Sequence, residues 1–470
     1  MEVKRVKKYE NPKFSTFQLK TGKILVAGAA CLALLGASGT LQGCAGMMIE
    51  PDFTEEAPSE LNSESINSKD IDKELPPATP LEQPYEMPPH RILAGEHNHF
   101  YPLKQYHGTC DTIGTPYMQY ILHITQQCNM DCDYCNTPKT NDYMSRETAF
   151  KVADMALATA LQQNHKTACI SFYGGEPLLC KEFIYDTIDY CRHISRGENV
   201  RFTYRITTNG TLVDSDFIGR CKAEGIKLAL SIDGIQEAHD KHRRFQNGSA
   251  TFSEVQYVGK TILRELPETT AMLTLNEDTT PMLYDSVNFL YDFGFKKVVI
   301  SLNYSGRWSE TSLAALNIQY EHLATWYGNK LLNNEDFSLP LFDSKFINLL
   351  TPQLDEERCV PGKLRISIST DGSIYPCTQY VGHSEYLLGN ANIDSEPDKT
   401  KLASLSTEHV KELPSCEGCA ISKRCDHTCG CKNIASTGFA RMISPMICTH
   451  EQMLVSITDR LGERIFMPAA

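Results

Sequence analysis

Between Gln119 and about Tyr304 the chain alternates short apolar runs with amphipathic stretches. Six runs have strand length: QYILHIT (119–125), ACISFYG (168–174), FTYRITT (202–208), IKLALSI (226–232), AMLTL (271–275) and KKVVISLN (296–303). The intervening stretches repeat at helical spacing. Residues 145–162 set Phe150, Ala153, Leu157, Ala160 and Leu161 on one face, with Ser145 as N-cap. Residues 213–224 and 280–293 stop at Gly225 and Gly294, where a glycine can take a left-handed C-cap. Repeated βα units predict a parallel sheet with right-handed crossovers. The expected fold is α/β, a partial (β/α)6 TIM-like barrel, with chemistry at the C-terminal strand ends.

The flanks read differently. Residues 1–23 are basic, 24–37 (ILVAGAACLALLGA) are apolar, and Leu41-Gln42-Gly43-Cys44 resembles an imperfect lipoprotein cleavage box. An apolar run this short falls below the ~20 residues of a membrane span. A basic start followed by a short apolar core fits an export signal or a weak membrane anchor. Residues 46–95, rich in Pro and acidic side chains, predict a disordered tether. The expected organisation is a signal-like or anchor segment (1–45), a linker (46–95), a βα core (115–305), a helical linker (306–358), a cysteine-rich domain (359–450) and a C-terminal helix (451–470). Trp308, Tyr320, Trp326 and Tyr327 in the helical linker are candidates for recognising a partner peptide, against the plainer expectation of packing on the barrel.

Composition adds two facts. Lys and Arg total 45 against 58 Asp and Glu, a net charge of −13, which disfavours nucleic acid as partner. Eighteen cysteines are many for an intracellular enzyme, and their spacing is informative. Seven are scattered and read as small buried hydrophobes. Cys128, Cys132 and Cys135 form C-x3-C-x2-C on the loop after the first strand. Three thiolates leave one iron of a [4Fe–4S] cube open to a ligand. At the following strand ends lie Gly174-Gly175-Glu176-Pro177, Thr208-Asn209-Gly210-Thr211 and Ser231-Ile232-Asp233-Gly234. Paired glycines permit close backbone approach, Ser231 and Asp233 offer partners for a ribose, and Arg243 offers a fork for a carboxylate. Farther on come Cys359, Cys377, Cys416, Cys419, Cys425, Cys429, Cys431 and Cys448.

Over about residues 115–305 the chain resembles the radical SAM superfamily, through CNMDCDYC (128–135), FYGGEP (172–177), TTNGTL (207–212), LSIDG (230–234) and HDKHR (239–243). The resemblance implies that Cys128, Cys132 and Cys135 hold a [4Fe–4S] cluster whose open iron takes the amino and carboxylate groups of S-adenosylmethionine. It implies Gly174, Gly175 and Glu176 at the amino group, Tyr134 near adenine, Ser231 at the ribose and Arg243 at the carboxylate. Asp233 is divided between a cofactor contact and a turn role. Residues 359–450 resemble the SPASM extension of peptide-modifying members. This implies two auxiliary [4Fe–4S] clusters, one on Cys416, Cys419, Cys425 and Cys448, the other on Cys359, Cys377 and Cys429; spacing alone also allows two structural zinc sites.

Two departures stand out. The family's further cysteine upstream of Cys359 is missing, so that cluster has an open iron, or Cys431 fills it, or Cys431 is a free thiol. Sulfatase-maturing relatives carry Asp after the position of Cys377, whereas this chain has Thr378. The implied function is an oxidoreductase that matures a ribosomally made peptide, with thioether crosslinking as the expected product if a substrate thiolate meets an open iron. The alternatives are a formylglycine-generating sulfatase maturase and a non-catalytic iron–sulfur or zinc peptide-binding protein. A flavodoxin- or ferredoxin-type donor is implied, and with it a cytoplasmic location, residues 24–44 providing any membrane association.

Overall fold

A computed structural model of the protein describes residues 118–350, 359–409, 413 and 416–466. All of these belong to a compact unit assigned to Gln83–Ala470. The expectations for residues 1–45, 46–95 and the membrane segment 24–44 lie outside the described residues. Among the described residues no helix is long and apolar enough to cross a membrane.

Six parallel strands run in sequence order: β1 (Gln119–Thr125), β2 (Thr167–Gly174), β3 (Arg201–Thr208), β4 (Lys227–Ser231), β5 (Thr270–Leu275) and β6 (Val298–Leu302). Each matches an apolar run read from the sequence to within two residues. Between them lie α1 (Arg146–Gln162), α2 (Lys181–Ile194), α3 (Ser215–Glu224), α4 (Gln236–His242), α5 (Phe252–Glu265) and α6 (Leu283–Phe293). Ser145 caps α1 by accepting from the Thr148 amide. Gly225 and Gly294 end α3 and α6 with φ of 65° and 111°, which a side chain would oppose.

The period-two alternation of each strand separates core from cavity. Tyr120, Leu122 and Ile124 of β1, Ile170 and Phe172 of β2, and Tyr204 and Ile206 of β3 join the core under the helices. His123, Tyr173, Thr207, Ser231 and Thr274 point to the other face and line a cavity.

The expected apolar face of α1 is displaced. The helix buries Thr148, Ala149, Val152, Ala153, Met155, Ala156 and Ala160, whereas Leu161 is 44% exposed. Small residues let α1 lie close to the sheet, and Phe150 stacks on Tyr190 of α2 with ring centroids 4.1 Å apart.

The sheet does not end with the six units. β7 (Arg365–Ile368) pairs in parallel with β1, and β8 (Ile374–Tyr375) pairs antiparallel with β7, giving the order β6-β5-β4-β3-β2-β1-β7-β8. The cysteine-rich segment thus enters the barrel's own sheet. Two helices precede it, α7 (Glu310–Leu332) and α8 (Pro340–Leu350); α9 (Lys399–His409), α10 (Gly430–Thr437) and α11 (Pro445–Phe466) follow. The last helix starts at Pro445, before the expected 451, so Cys448 lies on it. Tyr320 and Tyr327 of α7 are fully buried, and Trp326 packs edge-on against Tyr291 and Phe337. These aromatics are core, as the plainer expectation had it.

Candidate active site

The loop after β1 is held in place by its neighbours' backbones. The amide of Gly175 donates to the Thr125 carbonyl and that of Glu176 to the Gln127 carbonyl, each at 2.8 Å. A Cβ at Gly174 would lie 2.1 Å from the Thr125 oxygen, and one at Gly175 would lie 2.0 Å from the Gln127 oxygen. The close approach that the glycine pair permits is therefore made by the chain itself. Glu176 is 1% exposed, and its carboxylate accepts from the Leu178 amide, the Thr208 hydroxyl and the Asn209 amide. Burial raises its pKa. It ties the end of β2 to the end of β3.

Residues given no role from the sequence complete the support. Asn209 Nδ2 lies 3.9 Å from Cys128 Sγ and donates to Asn129 Oδ1, while Asn129 Nδ2 donates to Thr211 Oγ1. Gln246 Nε2 donates to the Cys128 carbonyl at 2.6 Å. Asn209 and Thr211 belong to the TNGT motif and Asn129 to CNMDCDYC, whereas no motif marks Gln246.

Cys128, Cys132 and Cys135 face the cavity together with Tyr134, Gly174, Gly175, Glu176, Ser231 and Arg243. Burial pushes the Cys128 thiol up to about 11 and raises that of Cys132, the latter opposed by the Arg243 guanidinium. Such thiols become thiolates when a metal takes the place of the proton.

Asp233 does not line the cavity. Its Oδ1 accepts from the Thr274 amide, and its Oδ2 accepts from the Tyr134 hydroxyl at 2.7 Å and from Arg243 Nε at 2.8 Å. Arg243 also lies over the Tyr134 ring, 5.4 Å from its centroid. Among the two roles foreseen for Asp233, the geometry favours the structural one: it positions Tyr134 and Arg243.

The cavity, of about 850 Å³, continues from the first trio to a second group, Cys359, Cys377, Cys425, Cys429 and Cys431. Thiol–thiol hydrogen bonds link Cys359 to Cys429, Cys429 to Cys431 and Cys431 to Cys377. Donation from Cys431 lowers the Cys377 thiol to about 6, and donation from Cys359 and Cys431 lowers that of Cys429. Cys416, Cys419 and Cys448 lie within electrostatic range of one another away from the cavity lining, whereas burial and the Glu451 carboxylate raise the Cys425 thiol.

The segment bearing Cys425, Cys429 and Cys431 is fastened by buried charges. Lys345 Nζ contacts Glu451 Oε2 at 2.7 Å with both side chains fully buried, Lys432 meets Asp426 at 2.9 Å, and Arg424 grips Asp459 with two nitrogens.

A family model described as the radical SAM superfamily matches residues 122–290. Over these residues the chain is similar to that superfamily. An uncharacterized protein of Methanocaldococcus jannaschii is 31% identical over 185 residues, covering 39% of this chain and 61% of that protein. The cysteine-type anaerobic sulfatase-maturating enzyme of Clostridium novyi is 24% identical over 286 residues, 57% of this chain and 75% of the enzyme. In fold, the chain is similar to native anSMEcpe with bound AdoMet and Cp18Cys peptide, with a TM-score of 0.64, 20% identity and coverage of 74% of this chain and 98% of that one.

The match to the radical SAM model implies a [4Fe–4S] cluster and S-adenosylmethionine, and the donor chemistry of the first loop fits: three thiols on one loop face a cavity beside a buried guanidinium. Among the described residues, no three His, Cys, Asp or Glu side chains converge closely enough to hold a single metal ion. A structural zinc needs four donors about 2.0–2.3 Å from one point. A cube instead takes one thiolate at each iron.

Proposed function

We propose that this chain matures a ribosomally made peptide, held in the cavity between the Cys128/Cys132/Cys135 loop and the Cys359/Cys377/Cys429 group. The observation that carries this reading is the continuity of that cavity: both thiol groups line it, so a single bound segment would reach both. Cys416, Cys419, Cys425 and Cys448 would hold a further auxiliary cluster.

When bound, the first cluster with S-adenosylmethionine supplies a radical that removes a hydrogen atom, and the auxiliary clusters supply an acceptor for a surplus electron. The chain supplies position. Gly174, Gly175 and Glu176 would meet the methionine amino group, Arg243 its carboxylate, Ser231 the ribose and Tyr134 the adenine. The cavity walls hold the peptide and exclude water. The proposed product is a thioether. A substrate C–H bond and a cysteine S–H bond are replaced by one C–S bond; one hydrogen leaves as an atom, the other as a proton, and one electron is released.

The relatives' names favour a second reading, formylglycine generation in a sulfatase. Thr378, which lines the cavity directly after Cys377 where the family resemblance would place Asp, weighs against it because a threonine hydroxyl is no base. Peptide mass spectrometry separates the two. Thioether formation removes two hydrogens and leaves a cysteine-linked fragment, whereas formylglycine leaves an aldehyde that a hydrazide captures. A peptide without cysteine that still loses two hydrogens, with no aldehyde, would sink both. The chemistry requires a low-potential donor of flavodoxin or ferredoxin type, and so a cytoplasmic setting.

A further inference from the structure

We infer that Cys431 is the fourth thiolate of the site formed by Cys359, Cys377 and Cys429, so that this cluster is closed by the chain itself. The inference rests on the reading that this half of the protein holds auxiliary iron–sulfur clusters. Cys431 packs against a small core that contains Cys377 and Tyr380, and its surroundings are more than apolar. Its hydrogen-bond partners are two thiols of the set: Cys377, which follows β8, and Cys429, the N-cap of α10. Cys359 completes the chain of contacts through Cys429. Four sulfurs from three separate segments thus adjoin one another on one wall of the cavity.

The turn that makes this possible is built for it. Two cysteines flanking a single residue present both thiols to the same group through a tight turn. Gly430 is that residue, and a Cβ there would lie 1.8 Å from the Tyr380 hydroxyl. Tyr380 is 2% exposed and held edge-on by Tyr386, with ring centroids 4.7 Å apart. Behind the turn, Asn433 Nδ2 donates to the carbonyls of His427 and Ala440, which fixes the first turns of α10. The C-G-C sequence, the tyrosine wall and the asparagine clamp therefore place Cys431 where a fourth ligand is needed. One consequence is that a substrate thiol does not reach an open iron at this site and must be held by the protein.

The test uses the full chain purified without oxygen. Replacing Cys128, Cys132 and Cys135 together with alanine removes the first cube and leaves the auxiliary spectra unobscured. This protein should then carry about eight irons. After reduction, isotope-labelled cyanide should give no hyperfine coupling in its electron paramagnetic resonance, because no iron is open. C431A on that background should admit cyanide, and C431S should shift the spectrum without admitting it. Cyanide coupling in the protein that retains Cys431 would overturn the inference, and that measurement needs no substitution at position 431. If the parent chain holds only about four irons, the auxiliary-cluster reading itself has failed, a result distinct from an eight-iron protein with an open corner.

Discussion

Arg243 Nε lies 2.8 Å from Asp233 Oδ2, and both side chains are almost fully buried. The pair is not an isolated ion bridge, because the same carboxylate oxygen also accepts from the Tyr134 hydroxyl. One acidic side chain thus sets the direction of the two residues expected at the carboxylate and the adenine of S-adenosylmethionine. Removing it would strand a buried guanidinium without its carboxylate partner.

Asp233→Ala should therefore be costly. Breaking a buried pair from one side typically destabilises by about 3–5 kcal/mol. Asp233→Asn keeps an acceptor and should cost less. Denaturant unfolding of the two variants gives the stability difference, and S-adenosylmethionine binding should weaken in both. Unchanged binding in the alanine variant would show that Asp233 does not position the cofactor residues.

Gly175→Ala tests whether the glycine pair serves the loop. An added Cβ meets the Gln127 carbonyl oxygen at 2.0 Å, which is backbone and cannot swing aside. The loop must move, and with it Cys128. The variant should lose about four irons per chain while the auxiliary spectra persist. Full iron content with normal cofactor binding would show that the loop tolerates the shift.

Most of the barrel was legible because its strands are local: β1 spans the seven residues QYILHIT marked by their apolar content alone. What escaped depends on distant partners. Four residues, RISI, are too short to announce a strand, and β7 exists because Gln119 to Leu122 offer it an edge. The face of α1 is turned from the expected one because close approach to the sheet favours Ala149 and Ala156 over Leu161. In the site, cysteine spacing and the strand-end motifs marked the residues that gather round the first loop. The spacing left Cys431 open, because whether C-G-C can present two thiols to one group depends on Tyr380, fifty residues earlier.

Asp343 gives a pH dependence with a definite sign. It is fully buried, accepting from the Tyr327 hydroxyl at 2.5 Å and the Ser338 hydroxyl at 2.8 Å, with Lys297 within electrostatic range. Burial raises its pKa from 3.8 to about 7, with these partners opposing. The folded chain therefore retains a proton that the unfolded chain has already released. This contribution to stability is full below the ordinary Asp value and is lost as pH rises toward 7. Asp343→Asn should flatten that fall. The check is the difference in unfolding free energy between parent and variant measured across the window; a difference independent of pH would contradict the expectation.

His123 is a polar group in the barrel that the cofactor assignments leave unused. It sits on the cavity face of β1, 8% exposed, edge-on to Tyr173 with ring centroids 5.2 Å apart. Its Nε2 is buried without a hydrogen-bond partner among the described residues. An orphaned buried nitrogen costs free energy unless something supplies the missing bond, and a peptide in the cavity is positioned to do so. Burial lowers the His123 pKa to about 4. The ring is therefore neutral at working pH, and it would offer the peptide a hydrogen bond rather than a charge. His123→Phe keeps the ring packing and removes the nitrogen. Loss of one such bond should raise KM for the peptide about tenfold, with kcat little changed, the pattern of an interaction made equally in ground and transition states. S-adenosylmethionine cleavage without peptide should be unaffected. The parent's rate should also show no ionisation of this histidine between about pH 6 and 8, unlike an ordinary imidazole. A phenylalanine variant with unaltered KM would make His123 a core residue and no part of the peptide site.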